Sequence, residues 1–215
     1  MKYKAVIFDL DGTILNTLPD LTESVNYALN KYNFPIRTID EVRSFVGNGV
    51  GLLIKRSLPT GTDEKICQEC LDEFKSYYEN HYAVKTVPYE SICDVLSQIR
   101  NKGIKIGVVS NKFDSAVQDL CKIYFDGLID VSVGEKDGVP RKPSPDSCEY
   151  VINALGQPKN EILYIGDSEV DILTAKNAGL QSISVSWGFK SKEFLFENGA
   201  SKIIDNPNQI LNILE

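Results

Sequence analysis

The chain has 215 residues, enough for one substantial core or a core with a small second unit. Its 42% apolar and 25% charged residues are ordinary for a soluble globular protein, and no run approaches the roughly 18 apolar residues that a membrane-spanning helix needs. A formal net charge of −7 without clustered Lys or Arg argues against nucleic acid as a partner, so any phosphate must be met by local positive charge from a metal, a lysine or backbone N–H groups.

The first predicted element is a strand over 5–9, a continuous apolar run that ends in Asp9. Such runs suit strands buried on both faces, as in a parallel sheet. The texture then changes. Leu18, Leu21, Val25, Ala28, Leu29 and Tyr32 fall at helical spacing, and Ile66, Cys67, Cys70, Leu71, Phe74, Tyr77 and Tyr78 repeat it. Between them, 42–58 reads as helical pieces interrupted by Gly47, Gly49 and Gly51. With no strand run in it, 16–83 is predicted to be an all-helical insertion, and 84–88 returns the chain to the core.

From 89 onward strand and helix patterns alternate. Strands are predicted over 104–110, 128–134, 162–167 and 181–187, with a weaker one over 202–205. Helices are marked by Ile92, Val95, Leu96 and Ile99 before Gly103, by Ala116, Val117 and Leu120, and by Cys148, Val151, Ile152 and Leu155 before Gly156. Ser144-Pro145 reads as an N-cap followed by proline at the first helical position. The alternation predicts an α/β fold: a doubly wound, Rossmann-like parallel sheet built from 1–15 and 84–215, with the helical domain 16–83 inserted. Trp187 and the aromatic stretch 189–196 read as packing at the edge of that core. The five cysteines are odd in number and follow no leader-like segment, which predicts a reducing, cytoplasmic setting. Cys67 and Cys70 form a C-x-x-C, but on a helix with no partner pair they read as packing residues.

Four segments carry chemistry. In Val6-Ile7-Phe8-Asp9-Leu10-Asp11-Gly12-Thr13 a buried strand ends in one aspartate and a second follows two residues on. Ligands of open parallel sheets bind beyond the carboxyl ends of the strands. A carboxylate there can attack phosphorus, and two close carboxylates suit one hard cation such as Mg²⁺. Gly12 permits a tight turn and Thr13 can hydrogen-bond it. Ser110 ends the 104–110 run, where its hydroxyl and the following N–H groups can bind a phosphate oxygen. Lys142 precedes a proline and offers an ammonium for a phosphoryl group. Asp167 ends the 162–167 run as a candidate metal ligand, and Asp171 lies one helical turn on, as a partner for Lys142 or the metal's water.

In chain order, Asp9–Thr13, Ser110, Lys142 and Asp167–Asp171 resemble the four motifs of the haloacid dehalogenase superfamily over essentially the whole chain. Within it the chain is most similar to phosphoglycolate phosphatases, whose glycine motif in the inserted cap is similar to the segment from Phe45 to Leu53. The resemblance implies a Mg²⁺-dependent phosphatase acting on a small phosphate monoester, with phosphoglycolate the first expectation. Asp9 is then the nucleophile and Asp11 the general acid and base. Asp9, Asp167 and the Asp11 carbonyl are implied as metal ligands. Ser110 and Lys142 hold the phosphoryl group, with Leu10, Gly12, Thr13, Asn111 and the cap residue Asn48 in the substrate-binding set. Asp171, with Ser168, supports Lys142 or the metal shell. The helical cap is implied as a lid that excludes water.

Dehalogenases of the superfamily lack the second aspartate, and the related sugar phosphomutases carry a cap histidine that is missing here, since His81 lies far along the insertion. A pyrophosphatase or a sugar- or nucleotide-phosphate phosphatase with the same core is the alternative. A phosphoryl-accepting signalling domain is more distant, because such domains are shorter and have no lid. The expected partner is a small phosphorylated metabolite, with no nucleic acid and no membrane, and the protein is expected to be a monomer or homodimer.

Overall fold

The computed structural model describes residues 2–47 and 49–214. Two compact units divide the chain: Met1–Leu15 with Pro88–Glu215, and Asn16–Val87. In chain order the elements are β1 (Ala5–Phe8), β2 (Leu15–Asn16), α1 (Leu18–Lys31), α2 (Ile39–Phe45), α3 (Val50–Ser57), α4 (Glu64–Tyr78), β3 (Val87–Pro88), α5 (Ile92–Asn101), β4 (Lys105–Phe113), α6 (Asp114–Phe125), β5 (Val131–Glu135), α7 (Asp146–Leu155), β6 (Ile162–Gly166), α8 (Glu169–Ala178), β7 (Gln181–Val185), α9 (Lys192–Glu197), β8 (Ile203–Ile204) and α10 (Gln209–Leu214). Among the described residues, no helix is long and apolar enough to cross a membrane.

The α/β unit holds a parallel sheet in the order β5-β4-β1-β6-β7-β8. The chain begins in the middle, builds outward through β4 and β5, then crosses back to β6 and builds the other way. Ligands bind where such a winding reverses, here beside β1. All four β1 residues are fully buried, as strands covered on both faces require. Ile7, Val109 and Tyr164 share one buried cluster with Cys148, Val151 and Leu155 of α7 and Ala175 of α8. Phe8 is level with Val108 of β4 and Ile165 of β6. That register brings Asp9, Ser110 and Asp167 out at nearly the same height.

Several elements differ in detail from expectation. Strand β4 runs on through Phe113, with a register shift against β5 between Val109 and Phe113. Helix α7 starts at Asp146 with Pro145 as its N-cap, one residue later than the Ser144 cap predicted, and the Ser144 hydroxyl bonds the Asp146 carboxylate instead.

In the helical unit, α1 packs along α4, with Tyr27 stacked on Tyr77 at 3.9 Å and Lys31 paired with Glu73 at 2.7 Å. Thr38 and Glu41 form a reciprocal capping box that starts α2. Gly51 lies within α3 and does not interrupt it, whereas Gly47 and Gly49 have positive φ and break the helical run. The return segment up to Val87 falls with this unit because the buried Asp20 carboxylate accepts the N–H groups of Val84, Lys85 and Thr86 at 2.8–3.1 Å. Cys70 is buried on α4 and the partly exposed Cys67 thiol donates to the Thr62 carbonyl, so the C-x-x-C packs as a helix face.

Candidate active site

Asp9 leaves β1 with its N–H donated to the Ile165 carbonyl at 2.9 Å. Its side chain turns to Lys142, whose ammonium lies 2.6 Å from Asp9 Oδ1. The same ammonium lies 2.8 Å from Asp171 Oδ1, 2.9 Å from the Val109 carbonyl and 3.2 Å from the Tyr164 hydroxyl. Asp171 is held in turn. Its Oδ1 also accepts from Tyr164 at 3.0 Å, and its Oδ2 takes the Ser168 N–H and hydroxyl at 3.1 and 2.6 Å. Both Asp171 oxygens are thus engaged by protein donors, and its direct partner is Lys142. The backbone of Lys142 is fixed by Asn111, whose amide accepts its N–H at 2.8 Å and donates to its carbonyl at 3.0 Å. The Asn111 side chain is therefore committed to placing the lysine.

Asp11 faces a second group of residues. Its Oδ1 is 3.0 Å from the buried Lys112 ammonium, and its Oδ2 accepts from the Ser110 hydroxyl at 3.4 Å. Ser110 Oγ also accepts the Lys112 N–H at 3.1 Å. The Asp9–Thr13 turn is tight: Thr13, Ile14 and Leu15 all donate N–H to the Leu10 carbonyl, and the Leu10 side chain is fully buried. The Thr13 hydroxyl reaches Asp9 Oδ2 at 3.5 Å. Gly12 has φ +87°, and a side chain there would collide with the Asp167 carboxylate.

Asp167 is reached from a further direction, by the segment after β7. The Phe189 N–H donates to Asp167 Oδ2 at 2.6 Å, and the Trp187 indole N–H donates to the Thr13 carbonyl at 2.9 Å. Trp187 is thus tied into the site rather than only packing at the core edge.

The charges are unbalanced. Asp9, Asp167 and Asp171 are all buried, with ligand atoms within 4.8 Å of one another. Burial pushes the Asp9 carboxyl up to about 7, against the pull of Lys142, and Asp171 and Asp11 add to the rise. Burial, then Asp9 and Asp171, holds Asp167 well above its ordinary range despite the Phe189 N–H. Burial opposes the Lys142 charge, but Asp171 and Asp9 outweigh it and keep the ammonium firmly protonated. One lysine does not offset three buried carboxylates. The unbalanced pair is Asp9 and Asp167, two hard oxygen donors whose mutual repulsion a divalent cation would relieve, so the donor set fits Mg²⁺.

The structure therefore gathers Asp9, Lys142, Asp167 and Asp171, with Ser168 behind, and sets Asp11 and Ser110 beside them. Asn48 lies outside the described residues. Elsewhere in the insertion, Arg56 of α3 donates to the Phe45 and Gly47 carbonyls. Sequence reasoning missed Tyr164, Lys112 and Trp187.

Residues 6–185 match the family model described as haloacid dehalogenase-like hydrolase. The chain is 32% identical over 223 residues to a phosphoglycolate phosphatase of Pasteurella multocida, covering 100% of this chain and 99% of that protein. It is 30% identical over 221 residues to a phosphoglycolate phosphatase of Haemophilus influenzae, covering 99% of each. It is also similar, with a TM-score of 0.94 and 38% identity, to a crystal structure from Lactobacillus delbrueckii subsp. bulgaricus provisionally named phosphoglycolate phosphatase, covering 100% of this chain and 99% of that one.

Proposed function

The chain belongs to the haloacid dehalogenase-like hydrolase family, and from that premise we propose that this phosphoric monoester hydrolase cleaves phosphoglycolate with Mg²⁺, through an aspartyl-phosphate on Asp9. The observation that carries the reading is the buried Asp9 carboxylate at the end of β1, 2.6 Å from the Lys142 ammonium and clustered with Asp167.

Asp9 attacks phosphorus in its ionised form, forming a new O–P bond as the bond to the leaving oxygen breaks. Asp11 gives a proton to that oxygen and later takes one from the water that attacks the aspartyl-phosphate. The second attack breaks the Asp9–phosphorus bond and releases inorganic phosphate with Asp9 restored. Lys142 and Ser110 hold the phosphoryl oxygens, assisted by the 10–13 turn, while Asp171 and Tyr164 keep Lys142 aimed. Asp9, Asp167 and the Asp11 main chain would hold Mg²⁺, which when bound supplies positive charge to the phosphoryl oxygens and favours ionised Asp9. The inserted helical unit is assigned the role of cap, shielding the reaction from bulk water.

Phosphoglycolate is favoured on two grounds. It is the substrate in the names of the relatives, and Lys112 supplies a second buried ammonium on the side of Asp11, where the leaving group departs. A leaving group that carries its own carboxylate suits that charge. Five free thiols fit a reducing compartment such as the cytoplasm. The test is turnover of a panel of phosphate monoesters, pyrophosphate and nucleotides with Mg²⁺ and with EDTA. Phosphoglycolate is expected to have the highest kcat/KM, and only with Mg²⁺. A pyrophosphate or sugar-phosphate preference replaces the substrate; no hydrolysis of any ester contradicts the reading.

A further inference from the structure

Trp187, Gly188 and Phe189 lie one residue beyond the end of β7 and touch both walls of the proposed cation pocket. The Trp187 indole N–H holds the Thr13 carbonyl at 2.9 Å, which fixes the turn that contains Asp11. The Phe189 N–H takes Asp167 Oδ2 at 2.6 Å, which orients that carboxylate about its own axis. Gly188, between them, sits where a side chain has no room: a Cβ there would lie 2.5 Å from the Gly12 carbonyl oxygen and closer still to Asp167.

We infer that this segment is a positioning device for the divalent cation, setting the distance between the 11–13 turn and Asp167 and thereby the affinity for Mg²⁺. The inference rests on the Mg²⁺ reading above, but it gives a task to residues outside the four strand-end motifs. Two independent hydrogen bonds leave one short segment: one ends on Asp167, a proposed ligand itself, and the other on the Thr13 carbonyl, which fixes the turn that carries the Asp11 main chain. Hydrogen bonds of this kind, behind the ligands themselves, typically change metal affinity by about 10–100-fold when removed. Trp187 is also the single tryptophan of the chain, so indole emission reports on the surroundings of this segment.

The experiment titrates Mg²⁺ into metal-free parent, Trp187→Phe and Gly188→Ala by calorimetry. Indole fluorescence is followed in parent and Gly188→Ala, and thermal unfolding of all three is measured in EDTA. The parent is expected to bind Mg²⁺ with a change in indole emission. Both variants are expected to bind about 10–100-fold more weakly, Trp187→Phe while keeping the parent's unfolding temperature in EDTA and Gly188→Ala with a lowered one, since its new Cβ crowds Asp167 and the Gly12 carbonyl. Trp187→Phe keeps an aromatic ring and loses the N–H with the five-membered ring that bears it; the unfolding measurement in EDTA separates lost packing from lost positioning, so this variant decides the matter if Gly188→Ala fails to fold. Equal affinity in parent and Trp187→Phe overturns the inference and leaves the phosphatase reading standing. So does a weakened affinity that merely tracks lost folded protein in EDTA. A parent that binds no Mg²⁺ overturns both.

Discussion

The ammonium of Lys142 has three N–H bonds and lies within 2.6–3.2 Å of four oxygens, from Asp9, Val109, Tyr164 and Asp171. Such a cation is held as a fixed point charge, which is what a transferring phosphoryl group needs. Lys112 stands differently: its ammonium pairs with Asp11, the residue proposed to face the leaving oxygen. Charge-assisted hydrogen bonds are worth about 1.5–3 kcal/mol, so Lys112→Met should lower the preference for phosphoglycolate over an ester with an uncharged leaving group by about 10–100-fold. Comparing kcat/KM for the two substrates in parent and variant checks this, and an unchanged ratio removes Lys112 from substrate selection. Asp9, Ser110 and Asp167 were legible because each places a polar group at the end of an apolar run. Tyr164 was not, since tyrosine is an ordinary strand residue and nothing marks its hydroxyl as buried beside a lysine. Lys112 was hidden because the strand was expected to stop at Ser110, while β4 continues past it.

Elements position these residues through register and through a few buried polar ties. The sheet was readable from apolar runs, whereas the order of its strands, with β1 inside, is set by pairings that the runs do not specify. Short pieces were not readable: β2 and β3 have two residues each, too few for any periodicity. Gly51 looked like a breaker by composition, but it is held within α3 by its neighbours, which propensity alone does not foresee. The boundary at 84–87 depends on Asp20, a carboxylate in the first turn of α1 whose partners lie more than sixty residues away. Asp20→Ala should leave these N–H groups without their acceptor. The expected cost is about 3 kcal/mol, with local opening concentrated at 84–86. Amide hydrogen exchange checks it: faster exchange at these three amides than elsewhere is expected, and unaltered protection there contradicts the role given to Asp20.

The whole molecule carries a net charge of −7, yet its site must accept another anion. On the proposed reading, a cation held by the local excess of buried carboxylate reconciles the two. That excess has a thermodynamic sign. Asp9 has a folded-state value raised to about 7 from 3.8, so its contribution favours the fold below about 3.8 and is lost as pH rises through 7. In EDTA, Asp9→Asn should therefore gain stability relative to the parent as pH rises from 4 to 8. The gap should grow to a few kcal/mol and shrink when Mg²⁺ is added. Thermal unfolding of both proteins across that range measures the gap, and one that stays constant with pH contradicts the assignment. The claim on which everything else depends is that the phosphoryl group rests covalently on Asp9 between its two transfers. Rapid acid quenching of the protein during turnover of ³²P-labelled phosphoglycolate with Mg²⁺, followed by peptide mapping, tests it directly. Label on the peptide that contains Asp9, and none in Asp9→Asn, is the predicted result. Steady hydrolysis with no protein-bound label at any quench time, or label on another residue, contradicts it.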